Sequence, residues 1–137
     1  MRFINCTKSN EVKHAIKQVE KLLTAESTMI KELYAKTDWK YGSENVVIKL
    51  LEDKEPISVF TYRPWNPFTK AVGYFDGKAI HISVKALESF DFERLCGLLL
   101  HEYAHYCGFN HANNFKSKEK SLYSVPYYLS DNITKWI

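Results

Sequence analysis

The chain has 137 residues, 45% of them hydrophobic and 26% charged, which suits one globular domain and leaves little room for a second. A net charge of +3 is too mild to imply nucleic acid as a partner, since a dedicated nucleic-acid domain carries a denser basic stripe. The opening MRFINCTKSNEVKH has no apolar run of signal-peptide length and nothing downstream approaches a membrane span, so the expectation is a cytoplasmic protein with no membrane partner.

From Val12, apolar residues recur at Ile16, Val19, Leu23, Ile30 and Leu33. That stripe predicts one long amphipathic helix from Asn10 to Lys36, capped by Ser9 or Asn10, with His14 at the surface. Past TDWKYGSEN the pattern changes. Val46–Leu51 and Ile57–Tyr62 are short, β-branched and aromatic, and they read as strands. Arg63-Pro64-Trp65-Asn66-Pro67 excludes regular structure through its two prolines. Ala71–Phe75 and Ala79–Val84 flank Asp76-Gly77, a hairpin signal. Within the second of these, Ile80, Ile82 and Val84 alternate with His81 and Ser83, so one face is expected to be wet and His81 to be a strand histidine with a satisfied hydrogen bond.

Asp91 to Cys107 reads as a second helix. Asp91 is a good N-cap, Glu93 suits the positive end of the dipole, and Leu95, Leu98 and Leu99 form the buried face. Gly108 supplies a left-handed stop. A polar stretch with Lys116, Lys118 and Lys120 reads as a solvated loop, followed by SLYSVPYYL and a short final helix. The three cysteines, Cys6, Cys96 and Cys107, are odd in number and lack CxxC spacing, so they read as buried thiols of a reducing compartment.

HEYAHYCGFNH, residues 101 to 111, holds three of the five histidines. His101 and His105 are four apart and project one turn apart from one helix face, where two imidazoles can grip one ion. Glu102 is rotated about 100° from His101, within reach of a water on that ion. The turn at Gly108 lets His111 return as a third ligand. Three neutral nitrogens plus water make an open tetrahedral zinc site of the catalytic type, one zinc per chain.

The stretch resembles the HExxHxxGxxH signature of metzincin zinc metallopeptidases. The resemblance implies that His101, His105 and His111 bind zinc and that Glu102 is the general base. It also implies an α+β, zincin-like fold spanning residues 1–137. Its parts would be a long N-terminal helix, a mixed sheet of about four strands with an antiparallel edge hairpin, the active-site helix and a minimal C-terminal subdomain. Some branches of the family carry an S-x-M-x-Y turn beneath the metal, and Ser124-Val125-Pro126-Tyr127-Tyr128 fits that frame with Pro126 in place of methionine. Tyr128 is then expected to face the metal and hold the oxyanion, or Tyr127 if the turn is shifted by one.

The function expected from this is peptide-bond hydrolysis, with a peptide or protein substrate laid along the edge at Ala71–Phe75. Residues 63–67 would then form a cleft rim or a plain connection. The alternatives are a metal-dependent endoribonuclease of the ribosomal-RNA-maturation type, which shares the H-x3-H-x5-H spacing, and a non-catalytic zinc-binding relative. The ribonucleases usually have glycine where this chain has Glu102, which favours the peptidase and a partner other than nucleic acid.

Overall fold

The apolar stripe that starts at Val12 is carried by two helices, not by the single one expected. In the computed structural model, which describes residues 1–66, 68, 69, 71–111 and 124–137, α1 runs Asn10–Leu22 and α2 runs Thr28–Ala35. Ser9 caps α1 by accepting the Val12 N–H. Ser27 makes the break. Its hydroxyl donates to the Leu22 carbonyl at 2.6 Å and accepts the Ile30 N–H at 3.1 Å, so one side chain closes α1 and caps α2. Such side-chain bonds compete with the helix ladder, and here they win.

Residues 46–51 are also helical, against the expectation of a strand. They lie in α3, Ser43–Leu51, which is entered from Gly42 at φ 85°. Val46 and Leu50, one turn apart, are fully buried, while Ile48 is exposed. The burial period is that of a helix, and packing against α2 outweighs the β-branched propensity.

The sheet has four strands, one of which the sequence did not announce. They are β1 Phe3–Asn5, β2 Ile57–Tyr62, β3 Gly73–Phe75 and β4 Ala79–Ser83, in the order β1-β2-β4-β3. β1 and β4 flank β2 in parallel, and β3 is the antiparallel edge. Gly77, at φ 93°, sits in the β3–β4 turn, the expected hairpin. Phe3, Ile57, Val59, Ile80 and Ile82 are buried on the core face, while Phe60, His81 and Tyr74 pair across the opposite, wetter face. His81 is satisfied there, its Nε2 lying 2.7 Å from Asp76 Oδ2. Ser83 departs from the alternation. It is buried because its hydroxyl caps α4, Val84–Ser89, a helix not foreseen at the end of the strand.

α5, Phe92–Tyr106, starts where expected, with the Asp91 carboxylate accepting the Arg94 N–H. It ends in a Schellman turn. The Phe109 N–H bonds the Ala104 carbonyl at 3.1 Å, the Gly108 N–H bonds the His105 carbonyl at 2.9 Å, and Ala104 and Phe109 are both buried beneath the turn. Ser124 caps α6, Val125–Asp131, which leads to a 3-10 turn at Ile133–Lys135. α6 packs on α5 at Gly97, where a Cβ would come within 3.3 Å of both the Ile133 Cγ2 and the Ser130 carbonyl.

One contiguous apolar cluster joins α1, α2, α3, α5, α6 and the inner sheet face. The cysteines are all free, but only Cys96 and Cys107 are buried; Cys6, just beyond β1, is exposed. His14 is at the surface, as expected. Lys116, Lys118 and Lys120 lie outside the described residues. Among the described residues no helix is long and apolar enough to cross a membrane.

Gly108 at φ 99° occupies backbone space that L side chains rarely adopt. Gly108→Ala is expected to destabilise by about 1–2 kcal/mol, and Gly108→Asn by less, in urea unfolding with an unchanged m-value.

Candidate metal centre

The buried side of α5, with Leu95, Leu99, Leu100 and Tyr103, holds the helix on the core. The side turned outward carries His101 and His105 one turn apart, and the Schellman turn brings His111 back over them. The three Nε2 atoms converge. His111 Nε2 lies 3.0 Å from His101 Nε2 and 2.9 Å from His105 Nε2. A tetrahedral zinc held by nitrogens at about 2.0–2.1 Å sets its ligands roughly 3.3 Å apart, close to this spacing.

The other ring nitrogens explain why the lone pairs point inward. His105 Nδ1 meets the Phe109 carbonyl at 2.7 Å. A carbonyl only accepts, so Nδ1 carries the proton and Nε2 keeps its lone pair. His101 is fixed in the same way by α6, where the Pro126 carbonyl accepts from its ring and the Ser130 hydroxyl lies 3.4 Å from Nδ1. With both Nε2 atoms as acceptors aimed at His111, one proton on His111 cannot satisfy both well. A cation can. The three histidines form a group able to hold a metal ion, and no cysteine or carboxylate joins them as a fourth ligand among the described residues.

Burial favours the neutral form of His101 and His105. It pulls the His101 pKa down to about 4, helped by the neighbouring His105 and His111, and it lowers His105 as well. Glu102 moves the opposite way. It is 5% exposed, Oε2 has no hydrogen-bond partner, and burial raises its pKa to about 7. A carboxyl at that value takes and returns a proton near neutrality.

The two tyrosines part company. Tyr127 stands beside the cluster, its ring centroid 4.8 Å from that of His101 and 4.7 Å from that of His111. Tyr128, the residue expected to face the metal, is turned away. Its hydroxyl donates to Glu32 at 3.2 Å and its ring packs edge-on to Trp39 at 5.3 Å. The reason is local. Residues 124–128 begin a helix instead of forming an irregular turn, and successive residues on a helix point about 100° apart.

A cleft of about 630 Å³ opens onto His101, Glu102, His111 and Tyr127. The edge stretch Ala71–Gly73 forms one side of it and the end of α6 the other. Two features went unread in the sequence. Pro126 and Ser130 orient His101, though only the carbonyl-first geometry of a capped helix next to the cluster would have signalled them. Tyr62, at the end of β2, is held above the ordinary tyrosine pKa by burial and then by the charges of Tyr74 and Glu102, which places it near the carboxyl. No family model, curated protein or solved structure matches the chain.

The opposed shifts give the metal-free protein a defined pH response. His101 binds its proton less readily when folded, so its contribution to stability is present above about 6.5 and lost as pH falls towards about 4. Glu102 binds its proton more readily when folded, so its contribution is present below about 4.5 and lost as pH rises through about 7. Glu102→Gln should therefore gain stability relative to wild type as pH rises from 5 to 8, read by urea unfolding in chelator. A constant difference across that range would contradict the buried, unpartnered carboxyl.

Proposed function

We propose that the chain is a zinc-dependent metallopeptidase, a small zincin-like catalytic domain related in its site to the metzincins. The observation that carries this reading is the pairing of three convergent imidazoles with a buried, unpartnered carboxyl on the same cleft. Three nitrogens with an open fourth position suit zinc in a catalytic setting. When bound there, the ion would supply Lewis acidity, making water more acidic and polarising a carbonyl.

The chain's own residues do the rest. His101, His105 and His111 hold the ion, with Pro126, Ser130 and Phe109 fixing the first two rings. Glu102 takes a proton from the attacking water, and its raised pKa lets it return that proton to the leaving amine. Tyr127, not Tyr128, donates its hydroxyl to the carbonyl oxygen as charge grows there. The free edge of β3 borders the cleft through Gly73 and offers backbone groups to an extended peptide. The endoribonucleases of the alternative reading usually carry glycine where this chain has Glu102, which favours the peptidase.

Purified protein should bind about one zinc, and His101→Ala or His111→Ala should lose it, as read by elemental analysis and competitive titration. Glu102→Gln is expected to keep the zinc and lower hydrolysis of an unfolded protein substrate by roughly a hundred- to ten-thousand-fold. Cleavage of a structured RNA, with no peptide cut, would replace the peptidase with the ribonuclease.

Tyr127→Phe should slow turnover by roughly ten- to a thousand-fold, mostly in kcat, with zinc retained. Tyr128→Phe serves as the matched comparison and should change kcat little, its loss being the hydrogen bond to Glu32. Equal kinetics for the two variants would remove Tyr127 from the mechanism.

A further inference from the structure

The strand order leaves β1 as the sheet edge opposite β3, away from the cleft that holds the histidines. Parallel pairing with β2 engages alternate residues. The Ile57 N–H bonds the Arg2 carbonyl at 3.0 Å, and the Cys6 N–H bonds the Val59 carbonyl at 2.9 Å. Phe3 and Asn5 alternate with these, so their backbone N–H and C=O groups turn outward, where no further strand pairs with them among the described residues. A groove of about 680 Å³ runs beside this edge, between β1 and α1. Phe3, Ile16 and Leu23 close its floor, and Lys13 and Lys17 stand on its α1 rim. The other charged side chains of the lining are already engaged. The Arg2 guanidinium donates to the Leu51 and Glu52 carbonyls at 3.1 and 3.3 Å, and Glu20 accepts the Arg2 backbone N–H at 2.6 Å. Lys13 and Lys17 are exposed and form no ion pair among the described residues.

We propose that this edge takes up an extended acidic segment of a partner protein, which adds a strand to β1 and sets carboxylates against Lys13 and Lys17. The outward backbone groups of Phe3 and Asn5 supply affinity for any extended chain, and the two ammonium groups select its charge. The spacing selects further. One helical turn separates the lysines, a rise of about 6 Å, and alternate side chains of a strand stand about 6.6–6.8 Å apart. Acidic residues at every second position therefore match the rim. A second copy of this chain is the poorer occupant. Antiparallel pairing of two β1 edges about a twofold axis puts both α1 helices on one face of the joined sheet, lysines towards lysines. The surface is separate from the metal centre, so the inference does not rest on the peptidase reading.

Binding is read on zinc-loaded Glu102→Gln, so that no cleavage intervenes, with fluorescein-labelled peptides in which valine alternates with aspartate, asparagine or lysine. Fluorescence anisotropy should give the aspartate peptide a Kd roughly ten-fold below the asparagine peptide at low salt, with lysine weakest and the spread narrowing at high salt. Adding Lys13→Gln/Lys17→Gln should level the three, and Lys13→Glu/Lys17→Glu should reverse their order. The aspartate peptide N-methylated at every residue keeps its charge but cannot form a ladder, and it should bind at least roughly ten-fold more weakly. Amide hydrogen exchange at Phe3 and Asn5 should slow when the unmethylated aspartate peptide saturates the protein. No binding of that peptide, equal Kd values, an aspartate preference that survives charge reversal, full affinity for the N-methylated form, or unchanged exchange at Asn5 would overturn the proposal. Protection of Asn5 that grows with protein concentration and needs no peptide would assign the edge to a second copy instead.

Discussion

The reversal of the chain at Gly108 is the constraint on which the candidate site depends. A helix can present His101 and His105 together, but two imidazoles grip an ion weakly, and the third must come from outside the helix. The Schellman turn delivers it, because the backbone bonds from Gly108 to His105 and from Phe109 to Ala104 fix the exit direction. Phe109 serves twice. Its buried ring anchors the turn in the core, and its carbonyl holds His105 Nδ1 at 2.7 Å. Stopping the helix, orienting a ligand and returning His111 are therefore one structural event.

Burial then does opposite work on two neighbouring groups. The same apolar surroundings that keep His101 unprotonated keep a proton on Glu102 to higher pH. Desolvation always disfavours the charged form, and so favours the neutral imidazole of histidine and the neutral acid of glutamate. Side by side on α5, these residues acquire free lone pairs and a proton carrier near neutrality. The cost is an unpartnered Oε2 in a protected position, and such groups are few in native proteins.

What could be read from the sequence was what local chemistry decides. Asp91, Leu95 and Leu99 of α5, Gly108, the Asp76-Gly77 turn and the histidine spacing each act within a few residues, and each stands where the pattern placed it. Leu98, by contrast, is only partly buried and lines the cleft. The misreadings came from competition that the pattern does not contain. The α1 stripe continues in phase through Leu23, yet Ser27 gives the backbone a better local partner and splits the helix. The run Val46–Leu51 satisfies strand propensity and helix periodicity alike, and only packing against α2 chooses. β1 is three residues long, too short for alternation to register. The tyrosine beside the cluster turned on whether residues 124–128 form a turn or the start of a helix, a difference of about 100° per residue that the sequence motif leaves open.

That helix start also explains how proline is accommodated at position 126. Within the first turn of a helix the backbone N–H groups lack intrahelical partners, so proline's missing donor removes nothing. Its carbonyl remains, and in α6 it is the Pro126 carbonyl that accepts from the His101 ring, with Ser130 one turn further along. An acceptor supplied by the backbone is held by the helix itself, which Ser124 caps and Gly97 seats against α5 at close range. The capped helix thereby sets the ring's tautomer, so the support of His101 and the placement of Tyr127 follow from the same seven residues of α6.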